Sequence, residues 1–277
     1  EKKKVKGAFQ HYLSPAVISQ ILDNPDKLKL GGEKKELTVF FSDVRGFTTI
    51  SETLAPEALA HLLNEYFTPM TKIILDSSGL LDKYIGDAIM AVWGAPISIP
   101  DHADRALQGS LQMLDALDVL RAGWKERGLP VIDIGMGINT GPMTVGNMGS
   151  DQRFDYTVMG DSVNLGARLE GITKQYGVRI ICSEYTKAKL INPKQFVMRE
   201  LDSIQVKGKT EPVRIHEVLR FKAEQRNRAE DLAGIFTDGL AEYRKQNWKA
   251  AEEKFMKCLM INPEDGPALE FVKRCQY

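Results

Sequence analysis

Residues 36–48 read ELTVFFSDVRGFT, and the fold of the chain can be built outward from this stretch. Its short run of β-branched and aromatic residues, Val39 to Phe41, predicts a buried strand. The strand ends at Asp43, and Arg45-Gly46 follow at once. Two interpretations are open: Asp43 caps the turn that follows, or it is a functional carboxylate on a rigid mount.

Helices and strands alternate after this first strand. Apolar residues recur at three- and four-residue steps in 56–79 and predict an amphipathic helix. Residues 80–94 indicate two strands joined by a tight hairpin at Gly86-Asp87. The other predicted elements are a helix at 101–128, a strand at 131–149, a short strand, a helix at 160–177, and strands at 178–183, 196–201 and 213–219. This order predicts an α/β (α+β) fold: a ferredoxin-like antiparallel sheet with helices on one face, plus a small C-terminal helical segment.

The chain divides into three predicted segments. Residues 1–36 are predicted as an N-terminal helix and a polar linker, 37–220 as the main domain, and 221–277 as a helical tail. The tail resembles a tetratricopeptide repeat through Gly239, Tyr243, Trp248, Ala251, Phe255, Leu259 and Pro263. Because one repeat cannot bury its own apolar face, the tail should pack on the main domain, on a second copy, or on sequence outside this chain.

Composition excludes several classes of protein. The 37 basic and 37 acidic residues balance, which argues against a nucleic-acid partner. The three cysteines show no metal-ligand spacing and indicate thiols in a reducing compartment. The chain begins at Glu1 without a methionine or a signal peptide, so we expect a cytoplasmic fragment. The missing N-terminal region would carry a sensor or a membrane anchor.

Two aspartates carry the first chemical hypothesis. Asp43 ends the first strand, and Asp87 lies at the tip of the hairpin, each near a glycine. If the strands are neighbours, the two carboxylates would repel each other unless a cation bridged them. Magnesium takes one or two carboxylates together with substrate phosphates. The alternative is an ordinary turn cap and an ordinary hairpin aspartate.

Other polar residues suit a phosphate. Asn164 and Arg168 lie four residues apart and share one face of the predicted helix, which suits an oxyanion or merely a solvated surface. Lys207 lies in VKGKT (206–210), and two interpretations are open: it binds phosphate, or it is an ordinary solvent-exposed loop residue. That segment is not a P-loop, because Ser203 stands where the first glycine would be needed.

Four segments together resemble the class III nucleotide cyclases, and the ordered series spans roughly residues 37–220. They are FFSDVRGFT, KYIGDAIMAVWG, GINTGPMTVGNMG and FDYTVMGDSVNLGARLEG. Lys83 and Thr157 match the base-selecting positions of the bacterial-type adenylyl cyclases within this family. Guanylyl cyclases carry glutamate and cysteine at these two positions.

The resemblance implies a role for each site residue. Asp43, Val44 and Asp87 would bind two Mg²⁺ or Mn²⁺ ions per site. Lys83, Thr157 and Lys207 would bind the substrate. Asn164 and Arg168 would be catalytic, stabilising the transition state.

The implied enzyme is an adenylate cyclase, a phosphorus–oxygen lyase that makes cyclic AMP and pyrophosphate from ATP. Its sites would be shared across a homodimer, with the metal residues from one subunit and the remaining residues from the other. A protein partner for the tail is a further expectation. The alternatives are a guanylyl cyclase or a catalytically silent cyclase-fold binding module. A cyclic-dinucleotide synthase would need a GG[DE]EF-like hairpin in place of YIGDA.

Overall fold

The computed structural model describes Ile18 and residues 30–205 and 211–276. Its strands are β1 (Gly31–Val44), β2 (Leu80–Ile85), β3 (Ala88–Trp93), β4 (Ile134–Ser150), β5 (Arg153–Met159), β6 (Ile180–Ser183), β7 (Val197–Ile204) and β8 (Val213–Leu219). Its α-helices are α1 (Phe47–Thr53), α2 (Pro56–Asp76), α3 (His102–Glu126), α4 (Asp161–Tyr176), α5 (Glu184–Ala188), α6 (Arg226–Arg244), α7 (Trp248–Ile261) and α8 (Gly266–Cys275). No helix within these residues is long and apolar enough to cross a bilayer. The predicted helix in 1–29 and Lys207 lie outside the described residues, Ile18 excepted.

The strands form one eight-stranded sheet in the order β2-β3-β1-β4-β6-β8-β7, with β5 paired to β4. Only the β4–β6 pair is parallel among the pairs described. β2 and β3 form the predicted hairpin, whose turn contains Gly86 in the left-handed conformation with φ 64°. The predicted ferredoxin-like class is confirmed, with β4 at the centre of the sheet and β1 beside it.

The main core lies between the sheet and helices α2 and α3. Helix α2 buries one residue per turn toward the sheet, as the apolar spacing predicts: Leu62, Tyr66, Met70 and Ile74. Phe40 of β1 and Trp93 of β3 meet these helices with no exposed surface, and their rings pack edge to face. Each large apolar side chain buried in this way stabilises the fold by roughly 1.5–3 kcal/mol.

Helix α4 covers the opposite face of the sheet, whereas the sequence predicted helices on one face only. Ile138 of β4 faces the main core, so its neighbour Gly137 faces the other way. A Cβ at Gly137 would lie 2.2 Å from the Glu170 backbone nitrogen, and one at Gly166 would lie 2.7 Å from Val39. The two glycines therefore let α4 lie directly on β4 and β1.

The first strand begins earlier than predicted. Residues 31–36, expected at the end of a linker, pair with residues 142–147 of β4. The cause is the length of β4, which continues to Ser150 and supplies backbone partners beyond the core. β5 pairs with this extension and covers a separate apolar cluster that contains Val39, Met90 and Val158.

The tail packs on the main domain, one of the three sites expected for it. Phe236, Phe255 and Phe271 of its helices are fully buried and share a cluster with residues of β8 and α4. A Cβ at Gly239 would lie 2.8 Å from the Phe255 ring, so α6 and α7 approach closely at this glycine. The pair of helices that a tetratricopeptide unit requires is present, and the resemblance to that repeat stays a prediction.

Candidate active site

Asp43 and Asp87 lie together at one edge of the sheet. β1 and β3 are paired as far as Ser42 and Ile89, so Asp43 and the hairpin turn follow side by side. Asp87 Oδ2 accepts a hydrogen bond from the Val44 backbone N–H at 3.1 Å. Two carboxylates from separate parts of the sequence thus share one site.

The charges around this pair are poorly compensated. Burial, followed by the neighbouring Asp43 as hydrogen-bond partner and negative charge, raises the pKa of Asp87 to about 6. Burial and the charge of Asp43 likewise raise the pKa of Glu170 to about 7. The nearest cation to Asp43 is Lys174, whose Nζ lies 3.6 Å from Oδ2 in a half-exposed pair. For Glu170, burial and repulsion outweigh Lys174 and Arg45, whose charges act to lower its pKa.

This donor set fits a hard divalent cation. Carboxylate oxygens are preferred ligands of Mg²⁺, which keeps most of its remaining positions for water and substrate phosphates. Among the residues the structure describes, no three acidic, histidine or cysteine side chains converge as a complete protein cage. Val44 has a buried apolar side chain, so only its backbone carbonyl could add an oxygen.

Lys83 and Thr157 meet around a third residue, Asp82. β2 has a bulge here, because Leu81 pairs with Ala91 and Lys83 with Met90, which leaves Asp82 without an opposite residue. The Thr157 hydroxyl donates to Asp82 Oδ2 at 2.6 Å, and Lys83 Nζ lies 3.5 Å from Asp82 Oδ1. The two predicted substrate-binding residues are therefore held in one cluster within one chain.

Asn164 and Arg168 lie on the exposed side of α4. The buried Asn139 holds the start of this helix by donating to the Ser162 carbonyl at 2.7 Å. Lys174, which pairs with Asp43, is ten residues beyond Asn164, a distance of about 15 Å along the helix axis. Within one chain, Asn164 thus lies away from the residue that pairs with Asp43, and Arg168 lies about 9 Å from it along the helix axis.

Sequence reasoning missed several side chains of the site. Asp82 gave a signal, since it is an acidic residue inside the otherwise apolar LLDKYI strand. Glu170 and Lys174 gave none, because their proximity to Asp43 depends on how α4 crosses the sheet. The loop with Lys207 lies outside the described residues, so its role stays a prediction.

Residues 32–219 match the family model described as the adenylate and guanylate cyclase catalytic domain. The adenylate cyclase of Anabaena cylindrica is 37% identical over 225 residues, which cover 78% of this chain and 43% of that protein. The chain spans less than half the length of the curated cyclases it matches.

Solved structures of cyclases have a fold similar to that of this chain. The crystal structure of the adenylyl cyclase CyaB from P. aeruginosa is 39% identical, with a TM-score of 0.64, and the match covers 70% of this chain and 98% of that one. The guanylyl cyclase Cya2 is 35% identical with a TM-score of 0.63, over 70% of this chain and 96% of that one.

Proposed function

The chain belongs to the adenylate and guanylate cyclase catalytic domain family, and on that premise we propose that it is an adenylate cyclase. The reaction converts ATP to 3′,5′-cyclic AMP and pyrophosphate. The observation that carries the choice of substrate is the Lys83–Asp82–Thr157 cluster, a set of residues suited to the polar edge of adenine. The similarity to enzymes named adenylate cyclase supports the same conclusion.

The metal-binding residues of the proposed site are Asp43 and Asp87, with the Val44 carbonyl as a further oxygen. Bound Mg²⁺ or Mn²⁺, two per site, would supply Lewis-acid activation of the ribose 3′-hydroxyl and neutralise triphosphate charge. The protein's part is to present two close carboxylates, Asp43 at the end of β1 and Asp87 in the turn between β2 and β3. Burial, together with the neighbouring Asp43, raises the pKa of Asp87 and disfavours its charge when no cation is present, which supports this role.

The remaining residues act on the triphosphate and the reacting phosphorus. The 3′-oxygen forms a bond to the α-phosphorus, the bond to the β-phosphate oxygen breaks, and the hydroxyl proton passes to solvent. Arg168 and Asn164 stabilise the charge that develops on the α-phosphoryl oxygens. Lys207 is assigned to the leaving phosphates on the resemblance alone.

The proposed active unit is a homodimer joined head to tail. The separation of about 15 Å along α4 between Asn164 and the residue that pairs with Asp43 supports a site built from two chains. One subunit would supply Asp43 and Asp87, and its partner would supply the adenine-binding and transition-state residues. A dimer of this kind contains two equivalent sites.

A guanylyl cyclase is the second candidate, favoured by the similarity to Cya2. The cation at Lys83 argues against it, because the guanine edge presents an N–H donor where adenine presents a ring-nitrogen acceptor. A silent binding module is less favoured, because each predicted metal and transition-state residue is present in the sequence.

The test is product formation by the purified chain with ATP or GTP in Mg²⁺ and in Mn²⁺. We expect cyclic AMP from ATP, abolished by Asp87→Ala and retained by the surface control Asp76→Ala. Cyclic GMP as the main product would establish the guanylyl cyclase instead. No product from either nucleotide, at concentrations where the chain is dimeric, would contradict the proposed activity.

A further inference from the structure

Asp82 is a buried carboxylate that belongs to the proposed base-binding cluster but has no contact with the substrate assigned to it. Its side chain is 1% exposed, although it lies on β2, the edge strand of the sheet. Burial raises the pKa of Asp82, so keeping its charge requires neighbours that favour the ionised form. Because burial disfavours the charge of a carboxylate, its presence at this position requires a physical explanation.

Among the described residues, the groups that interact electrostatically with Asp82 are hydrogen-bond donors or cations. They are the Thr157 hydroxyl at 2.6 Å, the Lys83 ammonium at 3.5 Å and the Val158 backbone N–H. An ionised carboxylate only accepts hydrogen bonds, so the Thr157 hydroxyl must donate its single proton to Asp82. The hydroxyl oxygen then keeps only its lone pairs for any other partner.

We propose that Asp82 is a positioning residue for base selection: by taking the Thr157 proton, it fixes that hydroxyl as an acceptor toward the substrate base. The proposal rests on the proposed function and names what enforces its choice of nucleotide. Lys83 offers a donor and Thr157 an acceptor, so the pair is complementary to a base with a ring-nitrogen acceptor beside an exocyclic amino group.

Adenine has this pattern and guanine has its reverse. The adenine N1 accepts and its N6 amino group donates, whereas the guanine N1–H donates and its O6 accepts. A freely rotating threonine hydroxyl would serve either base, since it both donates and accepts. The Thr157 hydroxyl can reject guanine only if it already donates its proton to another group. Asp82 is the group that accepts this proton.

The alternative is that Asp82 has a structural role only and holds β5 against β2 through its hydrogen bond with Thr157. A fastening role predicts that loss of Asp82 weakens the use of ATP and GTP in equal proportion. A proton-directing role predicts a change in the ratio of the two. The ratio of kcat/KM for ATP to kcat/KM for GTP therefore separates the two roles.

The test compares Asp82→Asn with Asp155→Asn, the same chemical change at an exposed position of β5. We expect Asp82→Asn to lower the ATP-to-GTP ratio about tenfold or more, because the amide no longer requires the hydroxyl to donate. Asp155→Asn should leave the ratio unchanged. Asp82→Ala, which frees the hydroxyl completely, serves as a second variant if the first does not fold.

A double-variant cycle shows whether Asp82 acts through Thr157. In a Thr157→Ala background there is no hydroxyl to orient, so adding Asp82→Asn should not change the ratio further. An additional fall in that background, or an unchanged ratio in both single variants of Asp82, would overturn the proposal.

A binding readout separates this proposal from the proposed activity. Dissociation constants for ATP and GTP, measured by displacement of a fluorescent ATP analogue, need no turnover. If the wild-type chain forms no product, the activity proposal fails, yet the ATP-to-GTP binding ratio of Asp82→Asn still decides the role of Asp82. A ratio within twofold of the wild-type value would reject it.

Discussion

Two regions of the molecule hold buried or half-buried charge, and they hold it in opposite ways. The first is the seam, the contact between the tail and the sheet that contains Arg199, Glu217 and Asp265. Arg199 is 2% exposed there. It donates to both oxygens of Asp265 at 2.6 and 2.9 Å and to Glu217 at 2.7 Å. At the ends of β1 and of the β2–β3 hairpin, Asp43 and Asp87 lie together, and Lys174 forms a half-exposed ion pair with Asp43. The charges of the first region are paired within the chain, whereas the two carboxylates of the second region are not fully neutralised.

The pKa values express the same contrast. Burial acts to lower the pKa of Arg199, and Glu217 with Asp265 more than offset it, so the guanidinium stays charged. At the edge, burial and repulsion instead raise the pKa of Asp87 to about 6. A charge that is paired inside the chain becomes costly when its partner is removed. A charge left unneutralised indicates a binding site for something the chain does not supply.

The largest expected effect is on stability and lies in the seam. Arg199→Met leaves two buried carboxylates without their cation, which should lower the free energy of unfolding by about 3–5 kcal/mol. Urea denaturation measures this loss. The control is Arg214→Met, because Arg214 is exposed and pairs with Glu184 in solvent, where a salt bridge contributes little to stability. Equal losses in the two variants would remove the distinction between seam and surface.

The next effect is on activity and leaves stability alone. Arg168→Ala removes a proposed transition-state contact from an exposed helix face, so kcat should fall about 100- to 1000-fold while the urea midpoint stays the same. Arg121→Ala on α3 is the matched control and should retain full activity. A loss of stability that accounts for the lost activity would show that Arg168 is structural.

A smaller effect is expected where the tail meets the end of α4. The Tyr176 hydroxyl donates to Asp202 at 2.6 Å and accepts from Arg274 at 3.3 Å. Tyr176→Phe removes this oxygen and should lower the free energy of unfolding by about 1 kcal/mol. Tyr185→Phe on α5 offers the same chemical change at a more exposed ring. A Tyr176→Phe variant as stable as the wild type would mean that this link does not fasten the tail.

The last effect is a pH dependence at Asp43 and Asp87, reduced by solvent screening because Asp87 is only partly buried. A carboxyl whose pKa is raised on folding, here from 3.8 to about 6, stabilises the fold below about pH 4 and loses that contribution as pH rises through 6. Without divalent cations, Asp87→Asn should therefore unfold at a higher temperature than the wild type at pH 7.5 and at the same temperature at pH 4. A variant that is less stable at pH 7.5 would show that Asp87 is a paired, structural carboxylate.

Local patterns predicted most of the fold. The apolar run of β1, the four-residue spacing of α2 and the Gly86 turn all depend on residues close in sequence, and each appears where expected. The placement of α4 on the second face was not predictable in this way. It depends on Gly137 and Gly166, which act as a pair only after the sheet has formed.

The sequence offered candidate site residues one at a time, and their assignment stays a prediction; it did not show how they connect. Asp43 and Asp87 follow from strand tips and from the resemblance to the cyclase family. The Asp82–Thr157 contact joins residues 75 positions apart and depends on a β-bulge that could not be predicted from the sequence. The Arg199–Asp265 pair in the seam joins residues 66 positions apart.

The same reasoning changes how the tail should be studied. Removing residues 225–277 would expose the cluster of β8 and α4 side chains that Phe236, Phe255 and Phe271 cover. Loss of activity after such a deletion would therefore report unfolding and not a regulatory role. The expected protein partner of the tail, the domain boundaries and the cytoplasmic location stay predictions.

The most direct test of the shared site is to mix two inactive variants. Asp87→Ala removes the metal half and Arg168→Ala the transition-state half, so each homodimer should be inactive. Random exchange makes about half of the dimers mixed, and each mixed dimer contains one intact site, so the mixture should regain about a quarter of wild-type cyclic AMP production. A mixture that stays as inactive as its components, although subunit exchange is demonstrated, would contradict a site built from two chains.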